Sequence, residues 1–312
     1  MAQSQVSPPL VRFGGYQPPE SINTKAARRF LDEFAARLGE RVTTELVGSV
    51  LEIGRPSGDL VPMVERGELS CCYMSSIRFS EKTPALRVFE LPFVVKDRGA
   101  VFRALDGDLG DRIKTNVEAV TKCRVLGFWD NGFRHVTNRV RPIRTPEDCQ
   151  GLAIRTQMTP LHGETFAALG FQPVPVDIKE FVEQIDTDRF QAQENPLANT
   201  YAFGVQKHHR FLSLTGHLFG ISLMVCSRDQ FNNWPSDVQE AVLEAARIAT
   251  AFQRELAIAE DKDVLARLDS AENEVIELTE AERSRFIGAV QPVLEKHRDD
   301  LDPAVLAAIG SG

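Results

Sequence analysis

The sequence has no excess of basic charge. Its 36 Lys and Arg residues stand against 44 Asp and Glu residues, which gives the 312-residue chain a formal net charge of −8 at pH 7. Proteins that bind nucleic acid present a basic face, and polybasic segments bind anionic lipid. The chain also lacks any apolar run of the roughly 18–20 residues that a membrane-spanning helix needs. We therefore predict no nucleic-acid partner and no segment that crosses a bilayer.

Cysteine is scarce, and its spacing is not that of a metal site. The five cysteines include no Cys-x-x-Cys pair, and an odd number does not predict a disulfide framework. His208 and His209 are adjacent and so point in different directions, while His162 and Glu164 are poorly spaced for one metal ion. Glycine-rich cofactor loops, Gly-x-Ser-x-Gly and His-Glu-x-x-His are missing too. We predict neither a metal nor a cofactor.

What the sequence does contain is an alternation of strand and helix patterns. This alternation predicts an α/β fold with a mostly parallel sheet, and a chain of this length predicts two lobes. One helix has Ala27, Phe30 and Phe34 on one face, and Ser21 or Asn23 is its predicted cap. Apolar or β-branched runs predict strands over residues 10–13, 42–47, 69–75, 124–129, 152–155, 171–176, 189–193, 211–214 and 221–226.

The C-terminal third is dominated by helix. Between Pro235 and Gly288 there is neither proline nor glycine. This predicts a very long helix from about Pro235 to Leu268, a polar break near Ser270 and a further helix from about Glu280.

Polar side chains follow several strands and are the candidate binding residues. Arg155 ends the strand over 152–155, and ligands of open α/β sheets bind beyond the carboxyl ends of strands. Its planar guanidinium matches a carboxylate with two parallel hydrogen bonds, although a surface salt bridge is the alternative. Arg134 follows a glycine bend and has the same two interpretations. Asn195 offers a donor and an acceptor, and the acidic Glu194 beside it is predicted to pair with an arginine.

Ordered motifs along the whole chain resemble one family. The likeness extends from about Leu10 to about Ile309 and is to the extracytoplasmic solute-binding proteins of TRAP transporters (tripartite ATP-independent periplasmic transporters), the dicarboxylate and sialic-acid receptors. The motifs are LPF (91–93), DNGFRHVTN (130–138), RPI (141–143), TPED (145–148), GLAIR (151–155), QENP (193–196), LSLTGH (212–217) and WPSDVQ (234–239).

The resemblance implies a two-lobed, periplasmic-binding-protein-like α/β fold with hinge-crossing strands and a long helix that spans both lobes. Lobe I is expected over 10–131 and 219–261, and lobe II over 132–218 and 262–308. The carboxylate-clamping arginine of the family aligns with Arg155. Its second pocket arginine aligns with Arg134 and its pocket asparagine with Asn195.

Departures from the family pattern bear on the ligand. An asparagine of the sialic-acid branch is replaced by Met158, an acidic pocket residue of that branch by Ser75, and a common aromatic by Ile178. Together with Tyr16 and His217, these residues predict a pocket less polar than a sugar-acid site. A medium-sized or aromatic organic acid is expected rather than a sialic acid.

The resemblance implies that the chain is a receptor. Such a receptor captures a monocarboxylate or dicarboxylate between its lobes and delivers it to the membrane subunits of a TRAP transporter. A monomer is expected. Residues 1–5 have neither the basic nor the apolar region of a signal peptide, so a periplasmic location implies that a signal was removed. The alternative is an enzyme acting on a carboxylic acid with Arg155 as substrate clamp.

Overall fold

The computed structural model describes residues 9–298 and 303–310, and these residues form one mixed sheet with helices around it. The strands are β1 (Leu10–Gly15), β2 (Thr43–Ser49), β3 (Cys71–Ser75), β4 (Cys123–Asn138), β5 (Ala153–Thr156), β6 (Gln172–Pro175), β7 (Ala192–Pro196), β8 (Phe211–Ser227) and β9 (Glu274–Ile276).

The helices lie between these strands and after them. They are α1 (Ile22–Leu38), α2 (Leu60–Glu65), α3 (Ile77–Ser80), α4 (Arg98–Leu105), α5 (Asp108–Val120), α6 (Pro160–Ala168), α7 (Ile178–Glu183), α8 (Leu197–Ala202), α9 (Arg228–Asn233), α10 (Ser236–Arg267), α11 (Glu280–His297) and α12 (Pro303–Gly310). None of the described helices is both long enough and apolar enough to span a bilayer.

The strand order is β2-β1-β3-β8-β4-β7-β5-β6, and β9 pairs with β8. The outer pairs β1–β2, β1–β3, β5–β6 and β5–β7 are parallel, as crossover helices require. The central pairs β3–β8, β4–β8 and β4–β7 are antiparallel. The prediction of a mostly parallel sheet therefore fails at the centre, where two long strands run in opposite directions.

Two strands are much longer than the sequence predicts. β4 continues through the motif after Trp129 as far as Asn138, and β8 joins the two strands predicted over 211–214 and 221–226. Polar residues and glycines interrupt the apolar pattern in both strands, which is why the sequence indicates shorter ones. Register shifts occur at Asp130/Gly132 and Arg134/Val136, and Gly132 has a φ of 85° that favours glycine.

The long helix is close to its prediction. α10 has 32 residues, or about 48 Å, and packs on α1 and β4. Its buried side is largely alanine, which allows close approach, and the buried Gln253 bonds both the N–H and the C=O of Asp130 in β4. α1 begins after Ser21, whose hydroxyl accepts from the Thr24 N–H, as one of the two predicted caps requires.

Buried apolar residues form one large core and several smaller ones. The large core surrounds β1, β3, α1 and α10, and the next joins β5, α6 and α11 around Ile154, Phe166 and Phe286. The large core also includes Ile178 and Phe181, which the sequence assigns to lobe II. Apolar contact is therefore continuous across the predicted lobe boundary, and the boundaries themselves stay a prediction.

Candidate functional site

A cavity lies where β3, β5 and β7 end and β4 bends. Its free volume is only about 30 Å³, so the surrounding side chains enclose it closely. Six of the eight residues predicted from the sequence line it: Tyr16, Ser75, Arg134, Arg155, Ile178 and Asn195. Met158 and His217 do not. The remaining lining residues are Ser57, Met74, Arg78, Asn131, Gln157, Asn199 and Phe203.

Arg155 projects from β5 into the cavity and is 5% exposed. Parallel pairing of β5 with β6 brings the carbonyl of Val176, just beyond β6, beside the guanidinium. That carbonyl accepts from Nε at 3.1 Å and from Nη2 at 3.0 Å. The Nη1 donors and the second Nη2 donor have no acceptor among the described residues. The guanidinium also lies 5.9 Å from the centre of the Phe181 ring.

The charge of Arg155 is unpaired within residues 9–298 and 303–310. No carboxylate there forms an ion pair with it, and the nearby carboxylates pair with other arginines. Burial, opposed by the more distant charge of Glu194, lowers the pKa of Arg155 to about 10. The side chain is still a cation at neutral pH, at a cost of about 3 kcal/mol to the charged form. A buried cation with free donors toward a cavity is a site for an anion.

Arg134 has the opposite environment. Antiparallel pairing of β4 with β7 places it beside Glu194, to which Nε and Nη2 both donate, the latter at 2.7 Å. Nη2 also donates to the Glu194 carbonyl and to Oδ1 of Asn195. In the amide orientation that satisfies both groups, Gln157 accepts from Arg134 at 3.2 Å. The predicted pairing of Glu194 with an arginine is confirmed, and it neutralises Arg134.

Histidines enclose the far side of Glu194. The ring nitrogens of His217 and His162 lie 3.5 and 3.9 Å from its carboxylate. Burial lowers the pKa of His162 to about 3 and also lowers that of His217, so both rings are neutral near pH 7. Burial raises the pKa of Glu194, but Arg134 and His217 bring it well below its ordinary value. His217 therefore lies behind the ion pair rather than in the cavity.

A second ion pair lies at the edge of the cavity. Met158 is mostly exposed there, with its sulfur 3.9 Å from Nη1 of Arg78. Its part in ligand binding stays a prediction. Nη2 of Arg78 donates to Asp177 at 2.8 Å. Asp177 also accepts from Ser57, Gly58 and Lys179, at 2.8–3.3 Å.

Several lining residues escaped sequence analysis, and they add polar groups to the cavity. Asn131, Gln157 and Asn199 add amide groups beside Asn195. Asn131 lies in the DNGFR motif, which could have identified it. Arg78 carries no local signal, because its role depends on a partner about 100 residues away in the chain. Among the described residues, no cluster of His, Cys, Asp or Glu is arranged to hold a metal ion.

Comparison with known proteins identifies the family. The profile of the family described as "Bacterial extracellular solute-binding protein, family 7" matches residues 13–300. The chain therefore belongs to this family of solute-binding receptors.

Relatives extend the comparison over nearly the whole chain. The chain is 28% identical to the 2,3-diketo-L-gulonate-binding periplasmic protein YiaO of Escherichia coli, over 92% of this chain and 86% of that protein. The sugar acid binding protein DctPAm from Advenella mimigardefordensis, in complex with galactonate, has a TM-score of 0.92 at 24% identity and covers 98% of this chain and 99% of its own.

A TRAP periplasmic solute-binding protein from Shewanella oneidensis, with bound succinate, has a TM-score of 0.91 at 22% identity and covers 97% of this chain and 99% of its own. The fold is the two-lobed α/β fold of these proteins.

Acid should destabilise the protein because of its buried histidines. Burial lowers the pKa of His135, His162 and His209 to about 3. Below the ordinary histidine value of 6.5 the unfolded chain binds more protons, so the free energy of unfolding should fall as pH decreases from 6.5 toward 3, by up to about 1.4 kcal/mol per pH unit for each histidine. Urea unfolding at pH 7.5, 6.5, 5.5 and 4.5 measures this. His209→Asn should reduce the slope, whereas a free energy constant down to pH 5 would contradict the prediction.

The buried Arg134–Glu194 ion pair should stabilise the folded protein. Arg134→Met leaves a buried carboxylate without its counter-charge and should lower the free energy of unfolding by about 3–5 kcal/mol. Combining it with Glu194→Gln should restore more than half of that loss. The exposed pair of Arg189 and Glu180 provides the control, since Arg189→Met should change stability by less than about 1 kcal/mol. Equal stability of the single and double variants would refute the pairing.

Proposed function

We propose that this protein is a periplasmic receptor that binds a carboxylate between its lobes through Arg155 and delivers it to the membrane subunits of a TRAP transporter. The observation that carries the proposal is the buried guanidinium of Arg155, which faces the cavity and has no counter-ion in the described part of the chain. Membership of the solute-binding family and the carboxylates named for its relatives support the same class of ligand.

A carboxylate suits the free edge of Arg155. The Val176 carbonyl fixes the Nε side of the guanidinium, and the Nη1 side remains open. A planar carboxylate can accept from both Nη groups there, and each such charge-assisted bond contributes about 1.5–3 kcal/mol. Ligand binding would also supply the counter-charge that Arg155 lacks. The protein thus keeps a destabilised cation that only an anionic ligand neutralises.

The cavity draws on both predicted lobes, which suits capture by closure. Tyr16, Ser75 and Asn131 come from predicted lobe I, and Arg155 and Asn195 come from predicted lobe II. A ligand that touches both sides stabilises the closed arrangement by the difference in its affinity for the two states. Contacts such as Gln17 with Asn199 at 2.8 Å also join the two sides, and they would be broken on opening.

The enzyme alternative has less support. The described residues that line the cavity include no histidine, carboxylate, lysine or cysteine that could act as a general acid or base. Tyr16 is the lining phenol, and burial raises its pKa above the ordinary value. A neutral phenol of raised pKa binds a ligand oxygen well but is a poor proton shuttle near pH 7. We therefore propose binding without chemical conversion, by a monomeric receptor.

Replacing Arg155 should abolish tight binding without unfolding the protein. Arg155→Ala removes the counter-ion of the bound carboxylate, so the dissociation constant should rise by about 100- to 1,000-fold. Arg155→Lys keeps the charge but not the planar fork and should recover part of the loss. Isothermal titration with a carboxylate found by thermal-shift screening measures both variants.

The free energy of unfolding of the ligand-free protein separates binding from structure. Arg155→Ala breaks no ion pair, so it should not show the loss of about 3–5 kcal/mol expected of a broken buried pair. Arg189→Ala, which removes an exposed arginine outside the cavity, should leave the dissociation constant unchanged. Binding by Arg155→Ala within threefold of the unsubstituted protein would refute the proposed function.

A further inference from the structure

The charges around the cavity do not all remain available to a ligand. Three arginines line the cavity: Arg78, Arg134 and Arg155. Two of them are neutralised by carboxylates just behind the lining, Arg134 by Glu194 and Arg78 by Asp177. Arg155 alone has no ion-pair partner among the described residues. The described lining therefore carries one uncompensated positive charge.

The Arg78–Asp177 pair is held firmly. Asp177 is the N-cap of α7, and it accepts from the Lys179 N–H at 3.0 Å and from the Ser57 hydroxyl at 2.8 Å. Burial raises the pKa of Asp177, but these bonds and the charge of Arg78 bring it below its ordinary value. At neutral pH Asp177 is an anion fixed in place, so Arg78 cannot leave it for a ligand without stranding a largely buried carboxylate.

The polar groups that remain free are neutral. The side chains of Ser75 and Asn131 are buried, line the cavity and form no hydrogen bond with any described residue. Tyr16 lines the same cavity, and burial raises the pKa of its hydroxyl, so it stays protonated. These groups lie on the predicted lobe I side, opposite Arg155. They can bond a hydroxyl or a carbonyl, but they cannot neutralise a second carboxylate.

We infer that the site selects a monocarboxylate whose remaining polar groups are uncharged hydroxyls or carbonyls, and that it discriminates against dicarboxylates through the Arg78–Asp177 pair. This inference rests on the proposed function, because it assumes that one carboxylate of the ligand sits on Arg155. The relatives do not decide the matter, since one is solved with the monocarboxylate galactonate and another with the dicarboxylate succinate. A second carboxylate would meet either neutral groups or arginines whose charges Asp177 and Glu194 already neutralise.

Matched ligand pairs test the inference. Each pair shares one carbon chain and differs by oxidation of the far end: butyrate and succinate, threonate and tartrate, gluconate and glucarate. Isothermal titration should give the monocarboxylate of a bound pair a dissociation constant lower by about tenfold or more, because the second carboxylate of the dicarboxylate loses water without gaining an uncompensated positive partner. If the unsubstituted protein binds the dicarboxylate as tightly as the matching monocarboxylate, the inference is wrong.

Asp177→Asn is the decisive variant. Asparagine is as good an N-cap as aspartate and keeps an oxygen for Ser57 and Lys179, so the local fold should persist. The substitution frees the charge of Arg78, and the dicarboxylate should gain about tenfold in affinity relative to its monocarboxylate partner. The ratio of the two affinities is the readout, because any change in lobe closure affects both ligands alike.

Glu183→Gln is the matched control. Glu183 lies on the same helix, pairs with Lys179 at the surface and undergoes the same change of charge outside the cavity. The Glu183→Gln variant should have the same ratio of monocarboxylate to dicarboxylate affinity as the unsubstituted protein. An unchanged ratio in Asp177→Asn would overturn the role of the Arg78–Asp177 pair. Equal affinity of the unsubstituted protein for both members of a pair would contradict this inference alone, whereas tight binding of either ligand by Arg155→Ala would contradict the proposed function.

Discussion

Glu194 is a buried carboxylate on β7, the strand between β4 and β5, and it forms an ion pair with Arg134. The register of β4 with β7 fixes this pairing, because Arg134 lies opposite Pro196, two residues from Glu194. The neighbouring strand β5 pairs with β7 from the other side and brings Arg155 to the same cavity. Since the carboxylate is already paired, Arg155 is left with a carbonyl acceptor and open donors. The proposed binding site follows from this difference between the two arginines.

This arrangement makes the folded protein less stable when no ligand is bound. A buried guanidinium without a counter-ion is unfavourable, and burial lowers the pKa of Arg155 to about 10. The rest of the fold compensates through a large apolar core and through α10, which is packed along α1 and β4. Arg78 with Asp177 and Gln17 with Asn199 join the two sides of the cavity. A carboxylate ligand would remove the electrostatic cost and so favour the closed arrangement.

Local patterns in the sequence predicted the elements that depend on local physics. The alanine-rich α10 is close to its predicted length, Ser21 caps α1, and Arg155 at a strand end does face the cavity. Non-local features were missed. β4 and β8 are long because they pair with each other across both lobes, and glycines such as Gly132 disguise that continuity.

The residues of the site, like the strands, could be predicted only where their positions depend on nearby sequence. The resemblance predicts His217 and Met158 as pocket residues. His217 lies behind the Arg134–Glu194 pair and Met158 at an exposed rim, and their roles in binding stay predictions. Which side of a strand or turn reaches the cavity depends on register and on bulges, and these are set by partner strands. The pairing of Arg78 with Asp177 joins segments about 100 residues apart, so no local pattern could reveal it.

A crystal structure of the protein with a bound carboxylate tests the central claim most directly. The account predicts that one carboxylate of the ligand accepts from both Nη groups of Arg155, at about 2.7–2.9 Å, while Arg134 stays on Glu194 and Arg78 on Asp177. It also predicts an uncharged ligand oxygen near Ser75 and Asn131. A complex in which the carboxylate binds Arg78 or Arg134 and leaves Arg155 without an anion would contradict the account.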